Sequence, residues 1–472
     1  MKFLATVFLV LGMWSSMLGQ DQGHEIKVFL ENNENDTLYM AYFYGDNQYV
    51  TDTAVRNSQD AYVFSKKETL KHGIYILVLP PKNEFFQFMV EDSQNITIKA
   101  DAKNIVNTIE ITGSPLNVAF YDYLKLIEVS RVKKQSVMDS LNNATDAEKS
   151  ILENKIVDID RQVLHKQDEL MKSYDGTLLD IILASSREPD IPSFDGLDKE
   201  EKQRKAFQYY HDHYFDNVPL DNDIILRTPF IHNKVMTYID QYTYQIPDSI
   251  NRAIDVFLSK IDEDQDLYRF FLIKFLNKYA NSKVIGFDAI YVHLAQNYYG
   301  KGKAPWIDEE TLVKILDNAE RFSYTLIGKD APEIRLYDVY NEREITLNTF
   351  KGNYTVMIFW SPTCNHCQKV MPTMPDIIKK FSNKNVKFVS ICTKADESCK
   401  TFVDENIGES PMFHSLPLSN YGKVYDVRST PKIFVVSPEG KIASKGLAVE
   451  QIEEVVNLLI ESDESKASKN SN

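Results

Sequence analysis

The spacing of apolar residues changes twice along this chain of 472 residues, and that change limits the fold more than any other feature of the sequence. Over residues 25–112, short apolar or alternating runs recur between turn residues, which is typical of strands in a small antiparallel sandwich or barrel. Over residues 116–322, apolar residues fall at helical spacing and prolines separate helices of ordinary length. Beyond residue 326, strand-like and helix-like runs alternate, as in a mixed-sheet α/β domain.

We therefore expect a multidomain protein with boundaries where the spacing changes. The expected order is a signal peptide over 1–20, an all-β sandwich or barrel over 21–114, an all-α domain over 115–324, an α/β domain over 325–461 and a disordered tail over 462–472. The contents of 43% hydrophobic and 26% charged residues are ordinary for folded proteins. Collagen-like, disordered and multi-span membrane classes are therefore excluded.

The first twenty residues have the order of a secretory signal peptide. Lys2 precedes an apolar run from Phe3 to Leu11, and small and polar residues follow up to Gly19 and Gln20. The run is shorter than the ~20 apolar residues that cross a bilayer, so we expect cleavage rather than a retained anchor. The mature chain is then expected in the periplasm, with secretion as the weaker alternative, and without a stable membrane span.

Charge and cysteine content narrow the chemistry. The chain has 53 Lys and Arg against 68 Asp and Glu, and no Lys/Arg cluster forms a strip for phosphates, so we expect no nucleic-acid partner. Four cysteines are present, and residues 21–363 carry none of them. Disulfides persist in exported proteins, so cysteines confined to one region are better placed for chemistry than for general cross-linking. We expect no cofactor.

Cys364 and Cys367 stand three positions apart where a predicted strand turns into a helix. Backbone N–H groups and the positive end of the helix dipole stabilise a thiolate there. The first cysteine is at the cap and accessible, and the second lies one turn inward. We therefore expect Cys364 to be the attacking nucleophile and Cys367 the resolving thiol.

Cys392 and Cys399 allow several interpretations. With the first pair they could complete a zinc site, but their spacing is poor for one, and we expect no metal. We favour a local structural disulfide between Cys392 and Cys399. An auxiliary dithiol that exchanges with the first pair is the alternative.

A further motif, Thr430-Pro431, runs directly into a strand, where an X-Pro bond is a candidate for the cis isomer. With it, residues 326–460 resemble the thioredoxin fold, and within it the TlpA/ResA-like group of exported thiol-disulfide oxidoreductases. The matching positions, in order, are Gly328, Ala331, Pro332, Phe359, Trp360, Cys364, Cys367, Pro372, Thr430, Pro431 and Gly440.

The resemblance implies the same roles for Cys364 and Cys367. It implies that Pro431 faces the dithiol and that the Thr430 backbone pairs with a substrate strand. Trp360 corresponds to a family aromatic close to the site, with plain core packing as an equal alternative. The implied partners are protein thiols or disulfides and a separate redox partner, and a homodimer is a candidate assembly.

Three positions depart from the family pattern. Ile358 and Val370 stand where thioredoxin and the TlpA/ResA-like group carry a buried acid, so the proton transfer that assists the resolving thiol lacks its usual carboxylate. His366 replaces the commoner proline between the cysteines. A nearby imidazolium favours the thiolate and hence the reduced form, so we expect a potential less reducing than that of thioredoxin. A merely exposed His366 is the alternative.

The expected function is an exported oxidoreductase that reduces, oxidises or isomerises protein disulfides. One alternative is a thiol peroxidase, because Ser361-x-x-Cys364 resembles the peroxiredoxin pattern and Arg428 could be its cationic partner. Another is a non-catalytic envelope binding or scaffold protein with a thioredoxin-like domain. The β-rich and helical domains resemble regions of unknown function that precede TlpA-like modules, and they imply no catalytic residues.

Overall fold

A computed structural model of the chain describes residues 23–142 and 144–470. The signal peptide expected over 1–20 lies outside these residues. The chain divides into two compact units between Tyr242 and Thr243, inside the segment that the sequence predicts as one helical domain. None of the helices in the described part combines the length and the apolar character that a membrane span requires.

The first unit begins with a β-rich region of two four-stranded sheets. Its strands are β1 (His24–Glu31), β2 (Thr37–Tyr44), β3 (Asn47–Val55), β4 (Tyr62–Lys66), β5 (Gly73–Leu79), β6 (Glu84–Val90), β7 (Asn95–Asp101) and β8 (Glu110–Thr112). The sheet orders are β4-β1-β7-β8 and β3-β2-β5-β6. Burial alternates along β1, with Ile26, Val28 and Leu30 inside, so the period of two that predicts a strand also sets its core face.

Helices complete the first unit: α1 (Ile105–Thr108), α2 (Pro115–Leu141), α3 (Asp146–Ser173), α4 (Leu178–Ser185), α5 (Lys199–Asp212) and α6 (Ile231–Asp240). Ser114 caps α2 by accepting a hydrogen bond from the Asn117 N–H. The buried Asn117 amide also accepts from the Met89 N–H at 2.7 Å and donates to the Met89 carbonyl at 2.8 Å. The start of α2 is thereby fixed to strand β6.

The second unit contains four helices followed by a seven-stranded mixed sheet. The helices are α7 (Pro247–Leu258), α8 (Asp266–Ala280), α9 (Asp288–Leu294) and α10 (Glu309–Ser323). The strands are β9 (Arg335–Asp338), β10 (Arg343–Thr346), β11 (Tyr354–Trp360), β12 (Val386–Cys392), β13 (Phe413–Pro417), β14 (Lys432–Val436) and β15 (Ile442–Lys445). Around them lie α11 (Asn365–Val370), α12 (Met374–Lys379), α13 (Glu397–Asn406) and α14 (Ile452–Asn470).

The sheet order is β10-β9-β13-β12-β11-β14-β15. Strands β11, β12 and β13 are parallel, and the other pairs are antiparallel. All seven residues of β11 are buried, because both faces of the sheet are covered. Val356, Ile358 and Trp360 belong to the core on one face, and Met357 and Phe359 to the core on the other. Strand β11 is therefore a rigid base for the residues that follow it.

The chain end differs from the sequence expectation. Residues 462–472 were expected to be disordered because they are polar, yet α14 continues to Asn470. Two contacts within the second unit support this extension. The Tyr354 hydroxyl donates to the Leu459 carbonyl and to the Asp463 carboxylate, and Lys466 pairs with Asp463 one turn away at 3.2 Å.

Candidate active site

The strand-to-helix turn that the sequence predicts is present at the two cysteines. Strand β11 ends at Trp360, and Cys364 is the N-terminal cap of α11. The Cys364 N–H donates to the Ser361 carbonyl at 3.2 Å, and the Cys364 carbonyl accepts from the Gln368 N–H at 3.0 Å. The first cysteine therefore stands where the backbone N–H groups of a helix lack helical partners.

The two free thiols differ in exposure and in acidity. Cys364 is partly exposed, whereas Cys367 is 0% exposed. Burial raises the pKa of the Cys367 thiol to about 11, and a hydrogen bond with the Ser361 backbone opposes this shift only in part. Cys367 is therefore protonated at neutral pH.

The Cys364 thiol is shifted in the opposite direction. Burial raises its pKa, but hydrogen bonds from the backbone at Cys367 and His366 and from the Thr430 side chain outweigh burial and lower the pKa to about 7. About half of the Cys364 side chains are then thiolate at neutral pH. The lowered pKa favours the thiolate at Cys364, and the raised pKa disfavours it at Cys367.

The predicted Thr430–Pro431 segment lies against this nucleophile. The peptide bond between the two residues is cis. Cys364 Sγ donates to the Thr430 carbonyl oxygen at 3.1 Å. A peptide that hydrogen-bonds to the Thr430 backbone would therefore lie beside the sulfur of Cys364.

Trp360 has a packing role. Its side chain is 1% exposed, and its ring lies 5.2 Å from the Phe402 ring on α13. Its carbonyl accepts from the Thr393 N–H at 2.8 Å and from the Thr393 hydroxyl at 3.1 Å. In the part of the chain that the structure describes, the buried indole N–H has no hydrogen-bond partner. The Trp360 side chain therefore supports the loop before Cys364 by packing, while its backbone carbonyl binds Thr393.

The remaining sequence candidates occupy different surroundings. His366 is exposed on the first turn of α11, and its backbone contributes to the lowered pKa of Cys364. The Ser361 hydroxyl lies 3.0 Å from that of Thr363. Arg428 donates to Asp426 at 2.6 Å and to Asn318 of α10 at 2.7 Å. The structure thus brings Cys364, Cys367 and Thr430 together, while Arg428 is engaged with other groups.

Cys392 and Cys399 are joined by a disulfide, the pairing that the sequence interpretation favoured. Cys392 ends β12 directly opposite Trp360, and Cys399 lies in the first turn of α13. Both are buried, with 2% and 3% of their surface exposed. The disulfide therefore ties a central strand to the helix on which Trp360 packs.

The two positions without the family acid are core positions. Ile358 is 0% exposed and Val370 is 6% exposed. A charged carboxylate at either place would need desolvation, which the apolar side chains avoid. The proton of Cys367 therefore has no acceptor at these two positions.

Sequence reasoning missed two buried polar groups in this domain. Asp426 is 7% exposed, and its carbonyl accepts from Lys432 Nζ at 2.5 Å. Ser390 Oγ and His414 Nδ1 are 2.9 Å apart on paired strands, and burial lowers the pKa of His414 to about 4. Strand β13 was not predicted, and a charged residue in a loop gives no indication of its burial, so the sequence offered little signal for either group.

Sequence profiles of three families match successive parts of the chain. The AhpC/TSA family matches residues 327–445. Two domains of unknown function precede it: DUF4369 matches residues 24–120, and DUF5106 matches residues 162–325.

Curated relatives match about a quarter of the chain. The thiol-disulfide oxidoreductase ResA of a Bacillus cereus strain is 30% identical over 122 residues, which are 25% of this chain and 68% of that protein. ResA of Bacillus subtilis (strain 168) is 29% identical over 129 residues, 24% of this chain and 64% of that protein. The chain thus spans slightly less than two thirds of the length of the Bacillus subtilis relative.

Solved structures are similar to parts of the chain of different extent. The thioredoxin domain of a thiol-disulfide oxidoreductase from Bacteroides vulgatus is 27% identical and covers 28% of this chain and 96% of its own, with a TM-score of 0.26. A thioredoxin-like protein from Bacteroides caccae is 18% identical and covers 58% of this chain and 98% of its own, with a TM-score of 0.42.

Two thiols of unequal pKa at the start of a helix, on a mixed sheet of this topology, define the thioredoxin-fold class of dithiol proteins. Within this class, the chain is 30% identical to the Bacillus cereus ResA protein over 68% of the length of that protein. Through its C-terminal domain, the chain belongs to the ResA family of thiol-disulfide oxidoreductases.

Proposed function

We propose that this protein is an exported thiol-disulfide oxidoreductase that reduces, oxidises or isomerises disulfides of other proteins through a mixed disulfide on Cys364. The observation that carries this proposal is the difference in exposure and pKa between the two thiols. Cys364 is partly exposed and has a pKa lowered to about 7, whereas the buried Cys367 has a pKa raised to about 11. Cys364 can therefore attack a substrate while Cys367 stays protonated until it resolves the mixed disulfide.

In the reducing direction, the Cys364 thiolate attacks one sulfur of a substrate disulfide. The substrate S–S bond breaks, a Cys364–substrate S–S bond forms, and the departing substrate thiolate takes a proton from water. Cys367 then loses its proton to water and attacks Cys364 Sγ, the Cys364–substrate S–S bond breaks, and the second substrate thiolate leaves and takes up a proton from water. Two electrons pass from the dithiol to the substrate, and a Cys364–Cys367 disulfide remains. Oxidation follows the same steps in reverse.

The proposed substrates are other molecules. Residues 21–363 carry no cysteine, so they offer the dithiol no disulfide to act on. A separate redox partner must restore the dithiol after each cycle, and the signal-peptide pattern of residues 1–20 supports action in the periplasm. A homodimer remains a candidate assembly.

Reduction of insulin by the full-length protein, with dithiothreitol as electron source, tests the proposal. We expect Cys364→Ala to abolish the reaction, because the attacking sulfur is removed. In a separate incubation with disulfide-bonded substrate and no dithiothreitol, Cys367→Ala should instead accumulate a mixed disulfide on Cys364 that added reducing agent releases, because the resolving thiol is absent. An inactive wild-type protein together with no trapped adduct would contradict the proposal and favour the scaffold alternative.

A thiol peroxidase is the second candidate, favoured by the AhpC/TSA match and by Ser361 three positions before Cys364. Against it, the cation expected to assist, Arg428, is bound to Asp426 and Asn318. Rapid consumption of hydrogen peroxide that survives Cys367→Ser would place this activity first, because a peroxidase needs only the attacking cysteine for its first step.

A further inference from the structure

A buried carboxylate lies beneath the loop that faces Cys364. The side chain of Asp426 is 9% exposed. Its carboxylate accepts a hydrogen bond from Arg428 Nε at 2.6 Å and lies 3.4 Å from Lys432 Nζ. Its backbone carbonyl accepts from the same ammonium group at 2.5 Å. One residue thus binds two cations, with its side chain and its main chain together.

The backbone of Asp426 is also unusual. Its φ angle is +46°, in the left-handed region that disfavours residues with a side chain. Glycine adopts this conformation freely, while aspartate is only tolerated. A residue held in such a conformation is over-determined by its surroundings, and here those surroundings are its contacts with Arg428 and Lys432.

The two cations stand on either side of the predicted substrate-facing residues. Arg428 comes two residues before Thr430, and Lys432 directly follows Pro431. Lys432 is also the first residue of β14, where it pairs with Phe359 of β11. Asp426 therefore fixes the loop at both ends, relative to the strand that leads into the dithiol.

The position of this loop affects Cys364 through one hydrogen bond. Between the two fixed ends, the Thr430 carbonyl lies 3.1 Å from Cys364 Sγ. Arg428 adds a second attachment, because it also donates to Asn318 of α10 at 2.7 Å. A loop without these attachments would present the Thr430 carbonyl in many positions, and an incoming peptide would have to order the loop as it binds.

We propose that Asp426 is a positioning residue for thiol-disulfide exchange: its carboxylate holds residues 428–432 so that the Thr430 backbone is ready to pair with a peptide substrate beside Cys364. The inference rests on the proposed function and names its substrate as an extended peptide segment that flanks a disulfide. Burial lowers the pKa of Lys432 and the Asp426 carboxylate opposes this shift, which agrees with a close charged pair.

Two variants separate the carboxylate from the backbone conformation. Asp426→Asn keeps the size of the side chain and removes its charge. Asp426→Gly removes the side chain and relaxes the left-handed backbone. A matched control is Glu344→Gln, because Glu344 also pairs with an arginine, Arg335 at 2.9 Å, but lies on the edge strand β10.

We expect both Asp426 variants to raise KM for insulin about three- to tenfold, with kcat nearly unchanged, because binding must first order the loop. Alkylation of Cys364 by iodoacetamide should stay within about twofold, since this small reagent needs no pairing with the Thr430 backbone. Amide hydrogen exchange over residues 428–432, followed by mass spectrometry, should become faster in both variants. Glu344→Gln should change none of the three.

Each other outcome has a defined meaning. Unchanged hydrogen exchange over residues 428–432 in the folded Asp426 variants would overturn the inference, whatever the enzyme activity. Parallel losses of alkylation, insulin reduction and thermal stability would also overturn it, because they indicate general destabilisation. If wild-type protein fails to reduce insulin, the proposed function fails, while the exchange measurement still decides whether Asp426 holds the loop.

Discussion

At the scale of single residues, the local hydrogen bonds of Cys364 account for its lowered pKa. Burial raises the pKa of Cys364, and backbone hydrogen bonds at Cys367 and His366 together with side-chain hydrogen bonds from Thr430 and Cys367 outweigh burial. Ile358 and Val370 fill the two positions where the resemblance in sequence implies an acid. The asymmetry between Cys364 and Cys367 is therefore set by burial, by the backbone at the start of α11, by Thr430 and by the contact between the two thiols.

This origin predicts the pH profile of alkylation. In a Cys367→Ala variant, the rate of reaction of Cys364 with iodoacetamide should rise with pH to a midpoint below that of an ordinary thiol, because only the thiolate reacts and the backbone and Thr430 hydrogen bonds that lower its pKa remain. At pH 7 this reaction should be about two- to fourfold faster than that of an ordinary thiol, because the lower nucleophilicity of a less basic thiolate partly offsets its larger thiolate fraction. The matched Cys364→Ala variant leaves Cys367, which should react slowly below its pKa of about 11. A midpoint near 9 for Cys364 would contradict the explanation.

At the scale of secondary structure elements, the Cys392–Cys399 disulfide joins β12 to the first turn of α13. Helix α13 carries Phe402, which packs on Trp360 at the end of β11. The covalent link thus supports the surface beneath the active-site loop. A structural disulfide raises the free energy of unfolding, whereas an auxiliary dithiol would exchange electrons with Cys364 and Cys367.

The double variant Cys392→Ala, Cys399→Ala distinguishes these roles. For a loop with a sequence separation of 7, we expect a loss of about 2 kcal/mol in the free energy of unfolding, because the unfolded chain is no longer constrained. Insulin reduction should stay within about twofold at a temperature where the variant is folded. Urea denaturation and the insulin assay measure the two effects. Lost activity at unchanged stability would instead support the auxiliary dithiol.

The sequence predicted the elements whose pattern is strong and missed those whose pattern is short. Strands β11, β12 and β14 are buried apolar runs, and they agree with expectation. Strands β9 and β10 have four residues each, too few for a reliable alternation, and β3 is largely exposed. The dithiol was found because its spacing is local. Asp426 was not, because its burial depends on Lys432 and on a loop path that the sequence pattern does not indicate.

At the scale of the whole molecule, the boundary between compact units differs from the boundary that apolar spacing predicts. The second unit begins at Thr243, so helices α7 to α10 belong with the thioredoxin-like domain. Side-chain contacts agree with this. Lys445 of β15 pairs with Asp288 of α9, and Lys423 pairs with Glu320 of α10 at 2.7 Å. The Lys445 pair is largely buried, so loss of its partner would leave a charge in a poorly solvated place.

Two fragments of the chain therefore should differ in stability. A fragment of residues 243–472 should unfold in one cooperative transition, since it contains a complete compact unit. A fragment of residues 325–472 keeps the dithiol but loses Asp288, Asn318 and Glu320, and its unfolding midpoint should fall by about 5–10 °C. Scanning calorimetry measures both midpoints. Asp288→Asn in the longer fragment should lower the unfolding midpoint by part of this amount, whereas Glu344→Gln should leave the midpoint unchanged. Equal midpoints for the two fragments would mean that helices α7 to α10 contribute nothing to the stability of the redox domain.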